Sequence, residues 1–277
     1  MIGGTMWRSA LWLLFGVVGL LGAAGCGIAI SGDGGSQMET RQDEFAVSGT
    51  PTLVVKNING DVEVTGSAEG GRVQVTARLR RPERLEYRAR QEGDTVRIIV
   101  EKRRTGESWW SRLWGRSGAT DIVVAVPRTA NMDIRSSNGD IAAHRVAGEI
   151  ILRTSNGDVE AGDGDGAYDL HSSNGDITVA AGQGEFNLHT SNGDIRFTGD
   201  PGKGTENRLR TSNGNIEAKL AGETPSARVD ARTSNGKIEV ARNATQNSLG
   251  RNQLEAIIGD GDASLALSTS NGSIIVE

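Results

Sequence analysis

The sequence predicts an all-β protein, a parallel β-solenoid of ~18-residue rungs with an N-terminal β-sheet cap. Three observations carry this reading. An Asn-Gly pair recurs at Asn138-Gly139, Asn156-Gly157, Asn174-Gly175, Asn192-Gly193, Asn213-Gly214, Asn235-Gly236 and Asn271-Gly272, in steps of 18, 18, 18, 21, 22 and 36 residues. Apolar residues stand in columns on both sides of each pair: Ile134, Leu152, Leu170, Leu188, Leu209, Ala231 and Leu267 before it, and Ile141, Val159, Ile177, Ile195, Ile216, Ile238 and Ile274 after it. Polar residues mostly alternate with these columns, the period-2 pattern of half-buried strands. The 39 glycines and the 4% aromatic content agree with many short strands joined by tight turns.

Along the chain, residues 1–25 read as a lipoprotein-type signal peptide: Arg8, no acid, then the apolar run "LWLLFGVVGLLGAAG". That run is shorter than the ~20 residues of a spanning helix. Cys26, the only cysteine, follows small residues and is the expected lipidation site. Ordinary cleavage leaving a free thiol is the other reading. Residues 26–44 are polar and Gly/Ser-rich and read as a flexible tether. Residues 45–130 alternate like longer strands and are expected to form the cap. They contain an early repeat-like copy, "VVKNINGDVEV", and a hairpin loop, "GESWWSRLWGR". Residues 131–277 are the solenoid repeats. The 36-residue step reads as two periods, with one rung near "EAIIGDGD" that has lost its signature, and the chain stops inside a strand, which would leave the C-terminal edge open. Seven or eight rungs would make a rod about 35–40 Å long. A meander is the competing architecture, because Asn-Gly between alternating strands is also the strongest hairpin signal. It does not require a fixed period.

The formal net charge is −5. Arg72–Arg116 holds 13 basic and 6 acidic residues, whereas Asn131–Glu277 holds 13 and 21. The acidic C-terminal part argues against nucleic acid as the main partner. In the columns, Gly permits the corner, Asn tolerates it, and stacked Asn side chains can form an amide ladder. The next column holds Asp140, Asp158, Asp176 and Asp194. It reads as turn-capping or solvated carboxylates, with calcium as a weak alternative because Ca²⁺ takes oxygen ligands in irregular geometry. No cofactor is implied.

Three places before each Asn stand Arg135, Arg153, His171, His189, Arg210 and Arg232, with Lys56 in the early copy. This basic stripe reads either as a strip for an anionic glycan or as an outward column that balances the Asp corner and discourages lateral strand pairing. His171 and His189 should stack directly. They lack the convergent ligands of a metal site and the oriented partner of an acid–base pair. The repeated serines lack a positioned base, so no catalytic residue is assigned. In the hairpin loop, Trp109, Trp110 and Trp114, with Arg112 and Arg116, are either a partner-binding patch or an apolar cover for the end of the stack.

The repeats "RSSNGDI", "HSSNGDI" and "RTSNGKI", the strand ending in "VAVP" and the closing "LALSTSNGSI" resemble the putative-adhesin β-strand repeat family, domain-of-unknown-function family 4097. The resemblance spans roughly Phe45–Glu277. It implies a β-helical extracytoplasmic module, often membrane-anchored, with no catalytic residues attached to the family; some relatives look like envelope-stress components. The expected function is a non-enzymatic, lipid-tethered envelope scaffold that binds an envelope protein or an anionic polysaccharide. A regulatory envelope-stress component and a carbohydrate-active β-helix enzyme are the alternatives.

Overall fold

The computed structural model describes residues 38–67, 71–103, 118–222, 224–240, 244–250 and 252–277. Apart from a 3₁₀ turn at Pro82–Arg84, its regular elements are strands. In chain order these are β1 (Met38–Ala46), β2 (Thr52–Asn59), β3 (Val62–Ser67), β4 (Arg72–Arg80), β5 (Leu85–Glu92), β6 (Thr95–Lys102), β7 (Ala119–Pro127), β8 (Asn131–Asn138), β9 (Ile141–His144), β10 (Gly148–Asn156) and β11 (Val159–Gly162). They continue as β12 (Gly166–Asn174), β13 (Ile177–Asn192), β14 (Ile195–Pro201), β15 (Glu206–Arg210), β16 (Ile216–Leu220), β17 (Ala227–Asn235), β18 (Ile238–Val240), β19 (Thr245–Leu249), β20 (Gln253–Ile258), β21 (Ala263–Asn271) and β22 (Ile274–Val276). The signal peptide, Cys26, residues 26–37 of the expected tether, and Trp109, Trp110, Arg112, Trp114 and Arg116 lie outside the described residues. Residues 38–44, also expected as tether, belong instead to β1, where alternating contacts along β4 hold them.

Each Asn-Gly pair ends one strand and precedes the next. Strands before the corner pair in parallel with one another, as do strands after it, so equivalent residues meet across rungs: Leu152 opposes Ile134 and Leu170, and Val159 opposes Ile141 and Ile177. The inward columns are buried. Ile134, Leu152, Leu170, Leu188, Leu209, Ala231 and Leu267 are all at most 1% exposed. Alternation selects this face, because successive side chains of a strand point to opposite sides. Two places beyond the Ile/Val column, Ala143 and Ala161 give way to Val179 and Phe197, and there aromatic rings fill the interior: Tyr168 stacks on Phe186 at 5.2 Å, and Phe197 meets Phe186 edge-on at 4.7 Å.

The early copy is a rung of the same stack. Lys56 opposes Arg135, Asn59 opposes Asn138 and Val62 opposes Ile141. It is not the outermost rung. β2 lies between β6 and β8, and β3 between β7 and β9. The same displacement occurs at the other end. β21 lies between β15 and β17, and β22 between β16 and β18. At both ends, therefore, stack order departs from chain order, and the repeat that is outermost in sequence is clamped one place inside.

Two sequence expectations are corrected here. The stretch around "EAIIGDGD" is not a degenerate parallel rung: β20 runs antiparallel to β17, and β19 antiparallel to β20. The last strand is not an open edge either, because Ile274 opposes both Ile216 and Ile238, and the Glu277 amide and carbonyl bond Ala218 and Leu220. An 18-residue count cannot register a chain that doubles back before it rejoins the stack. The first end is closed in a related way, by β4 antiparallel to β7, β1 antiparallel to β4 and β5 antiparallel to β6.

Because β21 and β22 are interior, deleting residues 263–277 removes partners from both sides at once. Hydrogen exchange should show protection lost across β15–β18 together. Loss confined to β17 and β18 would show that the last rung is not clamped.

Candidate functional site

The corner is built from three stacked side-chain columns and one glycine column. The Asn amides form a continuous ladder. Nδ2 of Asn138 donates to Oδ1 of Asn59 at 2.8 Å, and the pattern repeats from Asn156 to Asn138, Asn174 to Asn156, Asn192 to Asn174 and Asn213 to Asn192. It then passes from Asn271 to Asn213 and from Asn235 to Asn271, following stack order. The top of the ladder, Asn59, donates to the carbonyl of Gly118 at 3.1 Å.

The Asp column caps backbone. Oδ1 of Asp140 accepts the amide of Asp158, Asp158 that of Asp176 and Asp176 that of Asp194, each at 2.8 Å. Asn215 takes over the role beyond Asp194 and accepts the amide of Ser273 at 2.9 Å. Arg196 bridges Oδ2 of Asp176 and Asp194 at 3.0 and 3.2 Å, relieving part of the like-charge repulsion in the column. Among the described residues there is no group of three His, Cys, Asp or Glu side chains arranged to hold a metal.

A third column went unread in the sequence. Ser136, Thr154, Ser172, Thr190, Thr211, Thr233 and Thr269 are buried one place before the repeated serines. The hydroxyl of Thr154 donates to the carbonyl of Gly139, Ser172 to Gly157, Thr190 to Gly175, Thr211 to Gly193, Thr269 to Gly214 and Thr233 to Gly272, at 2.9–3.1 Å. In the early copy Asn57 substitutes, donating to the carbonyls of Gly60 and Thr120 at 2.9 Å each. The signal was present, since each of the seven later copies has a small hydroxyl there. A period-2 reading places it on the inward face, where a hydroxyl is tolerated only with a partner.

Glycine is required at the corner by stacking as much as by torsion. At Gly139 (φ 131°) a Cβ would lie 2.2 Å from the carbonyl oxygen of Gly60. At Gly236, where no left-handed torsion is involved, it would lie 1.9 Å from that of Gly272.

The basic stripe is outward and in register: Lys56, Arg135, Arg153, His171, His189, Arg210, then Ser268, then Arg232. It does not balance the Asp corner. Arg135 pairs with Asp133 at 2.9 Å, Arg232 with Asp230 at 2.6 Å, and Arg153 with Asp169. Asp133 and Asp230 lie two places back on the same strand, and Asp169 lies at the equivalent place on the next rung. The hydrogen bond and charge of Asp133 hold the Arg135 guanidinium above its ordinary range. His171 and His189 stack at 4.9 Å with an interplanar angle of 15°, as their column predicted. Partial burial, then the neighbouring His171 and Arg210, push His189 below its ordinary value of 6.5. In the column this ring pair sits between Arg153 and Arg210.

The family model described as Toastrack DUF4097 matches residues 166–277, the same family that the repeat resembles. No curated protein matches the chain. Solved structures similar to it include a putative cell adhesion protein from Clostridium sporogenes ATCC 15579, at 11% identity over 86% of this chain and 98% of that chain, with a TM-score of 0.40. A putative adhesin from Bacteroides fragilis NCTC 9343 is similar at 10% identity, over 86% and 97%, with a TM-score of 0.41. A putative lipid binding protein from Parabacteroides distasonis ATCC 8503 is similar at 13% identity, over 86% and 97%, with a TM-score of 0.37.

Three outcomes are expected. Asp158→Asn, which keeps the acceptor as Asn215 does, should leave the melting temperature nearly unchanged, whereas Asp158→Ala should cost about 0.5–1.5 kcal/mol, measured by urea denaturation. Gly157→Ala, whose Cβ would lie 2.2 Å from the Gly139 carbonyl oxygen, should cost on the order of 3 kcal/mol or abolish folding. The depressed His189 value means that the unfolded chain binds a proton more readily than the folded one. The stability it contributes is therefore present above about pH 6.5 and declines as pH falls below it. In His189→Gln, urea midpoints should fall less between pH 7 and pH 5 than in the parent.

Proposed function

We propose that this protein is a parallel β-solenoid of 18-residue rungs that serves as a non-enzymatic, membrane-tethered extracytoplasmic scaffold and binds an anionic glycan along its basic stripe. The observation that carries the reading is the stripe's registry. Parallel ladders place the stripe's outward side chains at ~4.8 Å intervals on a rigid sheet, with Lys56, Arg135 and Arg153 on one side of the His pair and Arg210 and Arg232 on the other, a segmented positive track that suits a polymer with repeated negative groups. Rigidity matters, because a track fixed by packed columns loses little backbone freedom on binding. The repeated serines beside the stripe, from Ser137 to Ser270, add hydroxyl donors and acceptors on the same face. The expected lipid anchor at Cys26 and the polar tether after it would hold this face clear of a membrane.

The Asn, Gly and hydroxyl columns are engaged in holding rungs together, which argues against chemistry in the repeat itself. The Asp corner lies beyond the strand end that carries the stripe, and on the stripe's own face Asp133, Asp169 and Asp230 are each engaged by an arginine.

Binding to immobilised polygalacturonate, dextran sulfate and neutral dextran tests the reading. The acidic polymers should be retained, with affinity falling as salt rises from 50 to 300 mM, and the neutral one should not. Equal binding to all three, or to none, overturns it. Globomycin-sensitive processing of the full chain in a native envelope tests the anchor independently.

A further inference from the structure

The basic stripe has one gap, and the out-of-order last rung creates it. β21 carries Ala266 and Ser268 at the two outward positions where its neighbours carry Arg208 and Arg210 on one side and Asp230 and Arg232 on the other. The result is a groove of about 210 Å³ with a floor of Ala266, Leu267 and Ser268. Its walls stand two rungs apart, ~9–10 Å across the strands. Arg208 and Arg210, on one wall, form no ion pair with the described residues, unlike Arg135, Arg153 and Arg232. On the other wall Asp230 holds Arg232 through Oδ2, while its buried Oδ1 has no hydrogen-bond partner among the described residues. The guanidinium of Arg232 is therefore held at the rim by one carboxylate oxygen.

We propose that this groove is the primary subsite of the stripe and takes a single acidic sugar unit, its carboxylate or ester anion lying over Ser268 between Arg210 and Arg232. This rests on the glycan reading above. The chemistry is specific to the gap. No other rung of the stripe has a residue as small as Ala or Ser at both outward positions, so elsewhere an anion meets the cations from above. Here two alanine-sized positions let a ring descend between the walls, where guanidinium groups approach from both sides and the Ser268 hydroxyl from below. The space is equivalent to roughly seven waters, the size of one sugar ring with its acidic group and too small for a folded partner. Planar, forked guanidinium groups suit carboxylate, sulfate and phosphate oxygens alike. The stripe on either side of the gap then guides the rest of the chain.

Ser268→Arg separates a site from a charged surface. It adds a cation to the stripe, so binding by general electrostatics would tighten. It also closes the groove, so binding to a subsite would weaken. With the full chain and polygalacturonate or dextran sulfate of defined length, measured by titration calorimetry at fixed salt, Ser268→Arg and Arg210→Ala should each lower affinity on the order of tenfold. Arg135→Ala, on the stripe but far from the groove, should lower it less than threefold. Ala266→Lys serves as a second filling variant and should match Ser268→Arg. Parental melting temperatures confirm that both filled variants are folded. Unchanged or tighter binding by both filled variants overturns the subsite and leaves the stripe reading standing. Absence of binding by the parent protein to either acidic polymer overturns both. Comparing polygalacturonate with dextran sulfate shows which anion the groove prefers.

Discussion

The structure depends on one close approach, the corner carbonyl of each rung against the corner glycine of the next. Strand separation of ~4.8 Å in the hydrogen-bonding direction sets that approach. A Cβ at the corner would stand about 2 Å from a carbonyl oxygen, inside any van der Waals contact. The same carbonyl also accepts a buried hydroxyl from the following rung, such as Thr154 on Gly139 and Ser172 on Gly157. Glycine and the hydroxyl column are thus two halves of one device. Removing the side chain lets the backbones close, and the hydroxyl satisfies the carbonyl oxygen that this closure buries. Asn and Asp work on the outside of the same corner, one through an amide ladder and the other through the next backbone amide. Each such bond contributes only about 1 kcal/mol, but repetition applies it along the whole stack.

Much of this was legible because a repeat exposes its own geometry. A fixed 18-residue step, in-register apolar columns and a constant Asn-Gly pair point to stacked rungs, and Ile134, Leu152 and Leu170 lie in the core where their column places them. The Asn ladder and the His171–His189 stack follow from the same alignment. The role of Asp was partly legible. Its side chain does cap backbone, but in the next rung and not in its own turn, and only the direction of stacking reveals that. The Thr/Ser column was overlooked because a small polar residue beside a turn has an ordinary explanation.

Chain order at the ends was not legible, and the reason is physical. Parallel pairing tells which residues match but not which rungs are neighbours. Asn271 matches Asn213 and Asn235 equally well, and nothing in its columns places it between them. The choice is made by β20, which returns antiparallel along β17 with β19 on its other side, and leaves the gap beside β15 for the last rung. This arrangement manages edges. An open parallel edge presents unpaired amides and carbonyls to other chains. Here the first repeat-like rung and the last one are enclosed on both sides, while short antiparallel strands cover the outermost parallel rungs before the corner. Before the corner, fraying from either end must then begin in those covering strands, whereas after it β18, which pairs with β22 alone among the described strands, keeps a free edge.

The enclosure has a consequence for the surface. A rung at the end of a stack has outward side chains with no second neighbour, so their size matters little to binding. A rung moved inside has its outward side chains set between two others, and small residues there make a recess. Ala266 and Ser268 would be unremarkable at a terminus; between Arg208, Arg210 and Arg232 they are the floor of a groove. Repetition makes one rung's surface much like the next and so opposes a unique site. Reordering restores uniqueness without changing the motif, because it changes only which copies are adjacent. In this protein the device that closes the end of the stack is also the one that makes one place on the stripe different from the rest.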